Sequence, residues 1–208
     1  MTRVKICGMM DSSDIDCAVS AGANALGFVV EIEHSRHSLS RDEAKAMIKK
    51  VPVFVQTVAV IAPADIGEAM RLARETKANL LQIHGTLGRG EIRALKNLVP
   101  QKIIAATSAG SENVHGLQEE ADAVLLDTLK DGILGGSGAI HDWNLSAALA
   151  RSLNVPVILA GGLNAANVGE AIRKVRPYAV DVSSGVETDG RKDPALVRAF
   201  VEQVSACP

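Results

Sequence analysis

Eight times along its 208 residues, this chain passes from a short run rich in Val, Ile and Leu into a longer stretch with helical spacing, and no linker or low-complexity tract interrupts the alternation. The apolar runs predict strands at 4–7, 25–30, 54–61, 80–84, 102–107, 123–127, 157–160 and 179–183. The amphipathic stretches predict helices at 13–21, 40–50, 63–77, 90–98, 112–120, 143–153, 165–175 and 194–204. Helix starts carry the expected chemistry. Ser40-Arg41-Asp42-Glu43 is a capping box, Pro63 suits a first helical turn, and Asn164 and Asp193 can accept backbone N–H bonds. The strands lack an alternating polar face, as a parallel sheet covered on both sides requires. Eight units in 208 residues leave 26 residues each, just enough for a strand, a crossover helix and two short loops. That arithmetic predicts one domain over residues 1–208, an α/β (β/α)8 barrel of the TIM type. An open doubly wound sheet is the alternative; it is disfavoured because eight equal units can close and no GxGxxG follows the first strand.

Composition narrows the partners. With 22 Lys and Arg against 24 Asp and Glu, a formal charge of −2 and few aromatics, the chain offers neither a basic stripe nor stacking platforms, so no nucleic-acid partner is expected. Its longest apolar stretches fall far short of the roughly 20 residues of a membrane helix, so no membrane partner is expected either. The N-terminus enters an alternating apolar segment directly, without the hydrophobic region of a signal peptide, which makes a cytoplasmic location the expectation. Three cysteines, Cys7, Cys17 and Cys207, have neither CxxC pairing nor the density of a disulfide scaffold and read as reduced thiols.

In a (β/α)8 barrel, chemistry gathers where strands end and the following loops begin. The predicted strand ends carry Cys7-Gly8, His84-Gly85, Asp127-Thr128, Ala160-Gly161-Gly162 and Val182-Ser183-Ser184-Gly185. In the last two loops, glycines open the backbone so that amide N–H groups can converge on an anion, and Ser183 and Ser184 add hydroxyls. Gly161 and Gly162 also fit a plain tight turn, but two adjacent loops of this character point to a phosphorylated small-molecule substrate.

Cys7, ending strand one, can serve as a nucleophile or base if its proton affinity is lowered, though most single cysteines are small core residues, and Cys17 and Cys207 read as bystander or surface thiols. Asp127 must reach the barrel mouth or a donor, since a lone buried carboxylate is costly; a cap on the following loop is the equal alternative. Strands one and six lie three positions apart around the barrel, so a thiol and a carboxyl can face a substrate from different sides. Arg36 can pair with a carboxylate but taken alone reads as a solvated Arg. His84 can donate a hydrogen bond at the mouth, although a lone His on an apolar strand is usually structural. No other His stands at ligand spacing to it, so no metal is inferred. His34, His37, His115 and His141 read as surface residues.

With these positions assembled, the chain resembles the phosphoribosylanthranilate isomerase family. The resemblance runs nearly end to end, through Lys5-Ile6-Cys7-Gly8, Gly27-Phe28, Leu81-Gln82-Ile83-His84-Gly85, Leu125-Leu126-Asp127-Thr128, Gly135-Gly136-Ser137-Gly138, Asp142-Trp143, Ala160-Gly161-Gly162-Leu163-Asn164 and Val180-Asp181-Val182-Ser183-Ser184-Gly185-Val186-Glu187. An ordered set of this kind is specific where any one tetrapeptide is weak. The resemblance implies an Amadori rearrangement in tryptophan biosynthesis without a cofactor. It makes Asp127 the general acid and Cys7 the general base, with the carboxyl protonated and the thiol at least partly thiolate when substrate binds. It also implies that Arg36 holds the substrate's carboxylate and that Gly162, Ser184 and Gly185 hold its phosphate. Three positions depart from the family pattern: His34-Ser35-Arg36 replaces Ser-Pro-Arg, the fifth strand reads Ile103-Ile104-Ala105-Ala106 where many members carry Lys, and His141 stands where Phe is usual.

Two alternatives remain open at this stage. The analogous sugar isomerase of histidine synthesis generally uses a carboxylate where this chain has Cys7, and its substrate needs a second phosphate site. A catalytically silent ligand-binding barrel would not require Cys7 and Asp127 in this order. The glycine-rich stretch from Leu129 to His141 is expected to order over bound substrate, and the expected assembly is a monomer or homodimer.

Overall fold

The computed structural model describes residues 1–85, 87–130, 133–134 and 142–207. Eight parallel strands form the wall: β1 (Arg3–Cys7), β2 (Ala25–Val30), β3 (Gln56–Ile61), β4 (Leu80–Ile83), β5 (Lys102–Ser108), β6 (Ala123–Asp127), β7 (Val157–Leu159) and β8 (Ala179–Val182). Each pairs in parallel with its neighbour in sequence, and β8 pairs with β1, so the sheet closes on itself without a free edge. Helices α1 (Ser12–Ser20), α2 (Arg41–Ile48), α3 (Ile66–Thr76), α4 (Arg89–Leu98), α5 (Val114–Glu120), α6 (Trp143–Ser152), α7 (Val168–Val175) and α8 (Pro194–Ser205) cover the outside. This is the (β/α)8 barrel that the repeat arithmetic predicts. No helix among the described residues is long and apolar enough to cross a membrane.

The pleat sorts each strand into two populations. Outward residues such as Val4, Ile6, Leu26 and Phe28 pack with helix residues such as Leu72 and Phe200 in one large apolar cluster. A smaller cluster, including Val58, Val60, Ile104, Leu125 and Ile158, fills the barrel interior and ends at Cys7.

Helix starts follow their caps. At α2, Ser40 Oγ accepts from the Glu43 N–H and the Glu43 carboxylate accepts from the Ser40 N–H, completing the predicted box. Asp193 accepts from the N–H groups of Ala195 and Leu196, with Pro194 in the first turn. Two predictions shift. Pro63 lies ahead of α3, whose cap is Asp65, accepting from the Glu68 N–H at 2.8 Å; an aspartate satisfies an open N–H where proline only supplies a favourable φ. The third strand starts at Gln56, not residue 54, because Val53 and Phe54 sit in a turn with 87% and 95% of their surface exposed.

The Gly135-Gly136-Ser137-Gly138 motif, His141 and most of the stretch expected to order over substrate lie outside the described residues. What is described there is a two-stranded antiparallel pair, Leu129–Lys130 with Ile133–Leu134.

Candidate active site

The barrel interior is not uniformly apolar. Lys5, one residue from Val4 and Ile6 in sequence but pointing inward, faces Asp181 across the β1–β8 ladder. Its Nζ donates to Asp181 Oδ1 at 2.9 Å, and the two side chains keep only 4% and 9% of their surface. Burial works against the ammonium, but Asp181, with Cys7 second, outweighs it and strengthens its hold on the proton. The Lys5 charge also acts on Cys7, two residues nearer the mouth on the same inward face of β1.

Cys7 lies opposite Gly27 in the β1–β2 register. A Cβ on Gly27 would stand 2.7 Å from Cys7 Sγ and 3.1 Å from Lys5 Nζ, so the missing side chain makes room for both. Burial pushes the Cys7 thiol up; Lys5 and Lys192 pull it down, and the Asp181 charge opposes them. The net direction is upward, so the resting group is a neutral thiol. The same enclosure that seats Cys7 at the mouth strips a thiolate there of water.

Asp127 ends β6. Burial pushes its carboxyl up to about 6, and the Asp181 charge adds to the rise; the Thr128 N–H, donating to Oδ1 at 2.7 Å, and the Lys5 charge act the other way. A proton is therefore held close to neutrality on a group that in water would lose it near 4. The following strand makes this enclosure possible. At Gly161, φ is +86°, and a Cβ there would lie 2.3 Å from Thr128 Oγ1 and 3.1 Å from Asp127 Oδ1. The glycine is needed for the β7 loop to close against the carboxyl.

Just beyond β4, His84 is half-buried. Burial, with the Lys5 charge second, lowers its imidazole to about 4, so it is neutral at physiological pH. Its Nε2 lies 2.6 Å from Gln82 Nε2. It is positioned as a neutral hydrogen-bonding group.

The β7 and β8 loops are pressed together: a Cβ on Gly185 would fall 1.9 Å from the Leu163 carbonyl oxygen. Asn164 Oδ1 accepts from the Ala166 and Asn167 N–H groups, while Asn167 Nδ2 donates to the Gly162 carbonyl, so side chains satisfy the turn. The N–H groups of Gly162, Ser184 and Gly185 donate no hydrogen bond among the described residues. Adjacent uncommitted amides of this kind suit a phosphate.

Beside these loops, across β1, the loop after β2 is tied to the segment after β8. Glu187 is an almost buried carboxylate that engages Arg36 Nη2, His37 Nε2 at 3.0 Å and Lys192 Nζ. Burial would raise it, yet the adjacent His37 and Lys192 outweigh that and hold it at about 2. Arg36 keeps 58% of its side-chain surface exposed, and a guanidinium has five N–H donors, so Glu187 leaves others for a ligand. His37 corrects the surface reading: it is buried beside Gly8, where a Cβ would stand 2.9 Å from its ring. His34 and His115 are exposed as expected. Cys207 is buried in the core, with Sγ 3.3 Å from the Gln203 carbonyl oxygen, and Cys17 is half-buried on α1.

The structure thus brings Cys7, Asp127, His84 and the two glycine loops to one end of the barrel, with Arg36 at the rim. Sequence reasoning did not single out Lys5, Gln82, Glu187 or Lys192 as site residues. A signal existed for Lys5 and Asp181: each interrupts an apolar strand at an inward position, where a charge must find a partner.

Fold and site together define a (β/α)8 barrel whose mouth gathers a carboxyl, a thiol and two glycine-rich loops with open amides. The family model for N-(5'-phosphoribosyl)anthranilate isomerase matches residues 4–203. The isomerase of that name from Methanothrix thermoacetophila is 55% identical over 207 residues, covering the full length of both chains. A crystal structure of phosphoribosylanthranilate isomerase in complex with reduced 1-(o-carboxyphenylamino)-1-deoxyribulose 5-phosphate superposes with a TM-score of 0.84 at 31% identity, covering 99% of each chain. Monomers generated from the dimeric isomerase of Thermotoga maritima give 0.84 at 30% identity over 99% of each chain. The chain belongs to the N-(5'-phosphoribosyl)anthranilate isomerase family.

Proposed function

We propose that this chain catalyses the Amadori rearrangement of N-(5-phosphoribosyl)anthranilate to 1-(2-carboxyphenylamino)-1-deoxyribulose 5-phosphate in tryptophan biosynthesis, with Asp127 as general acid and Cys7 as general base. The observation that carries this assignment is the meeting at one mouth of a carboxyl that burial raises to about 6, on β6, and an inward thiol on β1 with the Lys5 cation beside it. Asp127 delivers its proton to the furanose ring oxygen as the bond from that oxygen to C1 breaks, leaving a protonated Schiff base. Cys7, as thiolate, removes the C2 proton; the electron pair of that bond forms the C1–C2 double bond of an enolamine and neutralises the nitrogen. Tautomerisation moves one proton from the C2 hydroxyl to C1 and gives the ketone. Each proton transfer of this kind supplies on the order of 10²–10⁴-fold in rate.

Binding follows from the rest of the mouth. The free amides of Gly162, Ser184 and Gly185 hold the phosphate. Arg36 takes the anthranilate carboxylate through the N–H groups that Glu187 leaves open, and Glu187 fixes its approach in place of the missing proline. Neutral His84 contacts the bound substrate as a hydrogen-bonding partner. For assembly, a monomer or a homodimer is proposed.

The test is the loss of substrate fluorescence on adding purified protein, run beside Cys7→Ser and Asp127→Asn. Turnover by the wild type, with each folded variant slower by on the order of 10²–10⁴-fold, is the expected outcome. Wild-type rates in either variant would remove that residue from the mechanism.

A further inference from the structure

Completion of the proposed reaction leaves the two groups in the wrong states for another round. Asp127 has given up a proton and Cys7 has gained one, so one proton must pass from Sγ back to the carboxylate. No net proton enters or leaves. Throughout the cycle the two residues share one proton and one negative charge, and that charge lies alternately on sulfur and on oxygen. In a desolvated mouth, either form of the pair needs a compensating cation.

Lys5 occupies the place from which one cation can serve both. It stands two residues from Cys7 on the same inward face of β1, where a Cβ on Gly27 would touch both side chains, is anchored by Asp181 at 2.9 Å, and its charge acts on Cys7 and on Asp127. Nothing about the strand requires a cation there: Val4 and Ile6 on either side are ordinary apolar wall residues. A buried ion pair contributes little to stability compared with well-packed apolar residues, so its placement beside Cys7, with its charge also acting on Asp127, calls for a role in their chemistry.

We propose that Lys5, held in place by Asp181, is a positioning residue that stabilises the negative charge in turn on Cys7 and on Asp127, and so allows the base and the acid to exchange their proton between turnovers. The inference rests on the assignment of Cys7 and Asp127 as base and acid. The charged and titratable groups around the exchange are Lys5 on β1, Asp181 on β8, His84 after β4 and Lys192 in the segment after β8. His84 is neutral near physiological pH, and Lys192 acts on Cys7 more weakly than Lys5 does. Lys5 is therefore the dominant cation at the thiol.

The experiment is alkylation of the intact protein with iodoacetamide across pH, with the Cys7 peptide quantified by mass so that Cys17 and Cys207 do not contribute. Wild type is compared with Lys5→Met, Lys5→Arg and Lys5→Met/Asp181→Asn; the double variant leaves no unpaired carboxylate in the barrel should the single variant fail to fold. Loss of the ammonium is expected to shift the Cys7 profile to higher pH and to slow labelling near pH 7.5 about tenfold in both Met variants. Lys5→Arg should recover most of the labelling rate. Turnover should fall in parallel through kcat, with KM changed by less than about twofold, because Lys5 lies beneath the mouth and not on the phosphate loops.

Wild-type labelling profiles in both Met variants would overturn the inference. So would a loss of activity confined to KM. Full activity in Cys7→Ser would instead overturn the base assignment, and this inference with it, so the two failures are told apart.

Discussion

The outer and inner faces of one strand make the sharpest comparison in this molecule. On β1, Val4 and Ile6 point outward into an apolar layer, whereas Lys5 and Cys7 point inward to a buried ion pair and a desolvated thiol. The same division separates β8's Val180 and Val182 from Asp181. The outer face is built for burial, which is non-directional and tolerant of detail. The inner face carries groups whose burial is unfavourable, and it uses that unfavourable environment to set protonation: Asp127 up to about 6 and His84 down to about 4. Stability and chemistry are thus distributed over opposite sides of a single sheet.

The comparison breaks most visibly if an outer-face change alters chemistry. Phe200 on α8 is fully buried against the outer wall. Phe200→Ala is expected to lower unfolding free energy by roughly 3–5 kcal/mol, measured by urea denaturation, while kcat per folded molecule stays at the wild-type value. A kcat reduced along with stability would mean that the two faces are not separable.

A second substitution has the opposite signature. Because the folded state holds the Asp127 proton more tightly than the unfolded chain does, this residue favours folding below about pH 4, and that advantage is lost as pH rises through about 6. Asp127→Asn should therefore be the more stable protein at pH 8, by roughly 2–3 kcal/mol, with the difference vanishing near pH 4. Parallel urea titrations at the two pH values check this, and His84 supplies an internal contrast: its lowered proton affinity disfavours the fold as pH falls from about 6.5 through 4. An inactive variant that is more stable than its parent is what a functional inner face predicts.

Smaller still is the effect of a local signal remote from both faces of the wall. Ser40→Ala removes the hydroxyl that caps α2 and should cost about 1 kcal/mol without changing the activity of the folded protein. A fall in kcat would show that α2 transmits its position to the Arg36 loop.

Legibility in the sequence followed the same division. Hydrophobic periodicity reports outer burial directly, so the eight strands, the eight helices and closure of the barrel could be read from the order of residues. Cys7, Asp127 and the two glycine loops were legible because they end strands. Lys5 and Asp181 were harder: inside an apolar run, a single charged letter does not say which partner, far away in sequence, will meet it. Their pairing depends on the β1–β8 closure that brings residues 176 positions apart into register. His37 looked like a loop histidine because its partner, Glu187, lies on the far side of the chain. The start of β3 was misplaced for a different reason, since Val53 and Phe54 are apolar residues that the fold leaves exposed.

The central claim is that the barrel mouth holds the Asp127 carboxyl ready to give up a proton near neutrality. The most direct measurement is a ¹³C NMR titration of its side-chain carboxyl in protein labelled at aspartate, with the resonance assigned by its absence in Asp127→Asn. The account predicts a midpoint at about 6. A midpoint near the ordinary aspartate value of about 4 would contradict it, because Asp127 would then be fully ionised at neutral pH with no proton to deliver.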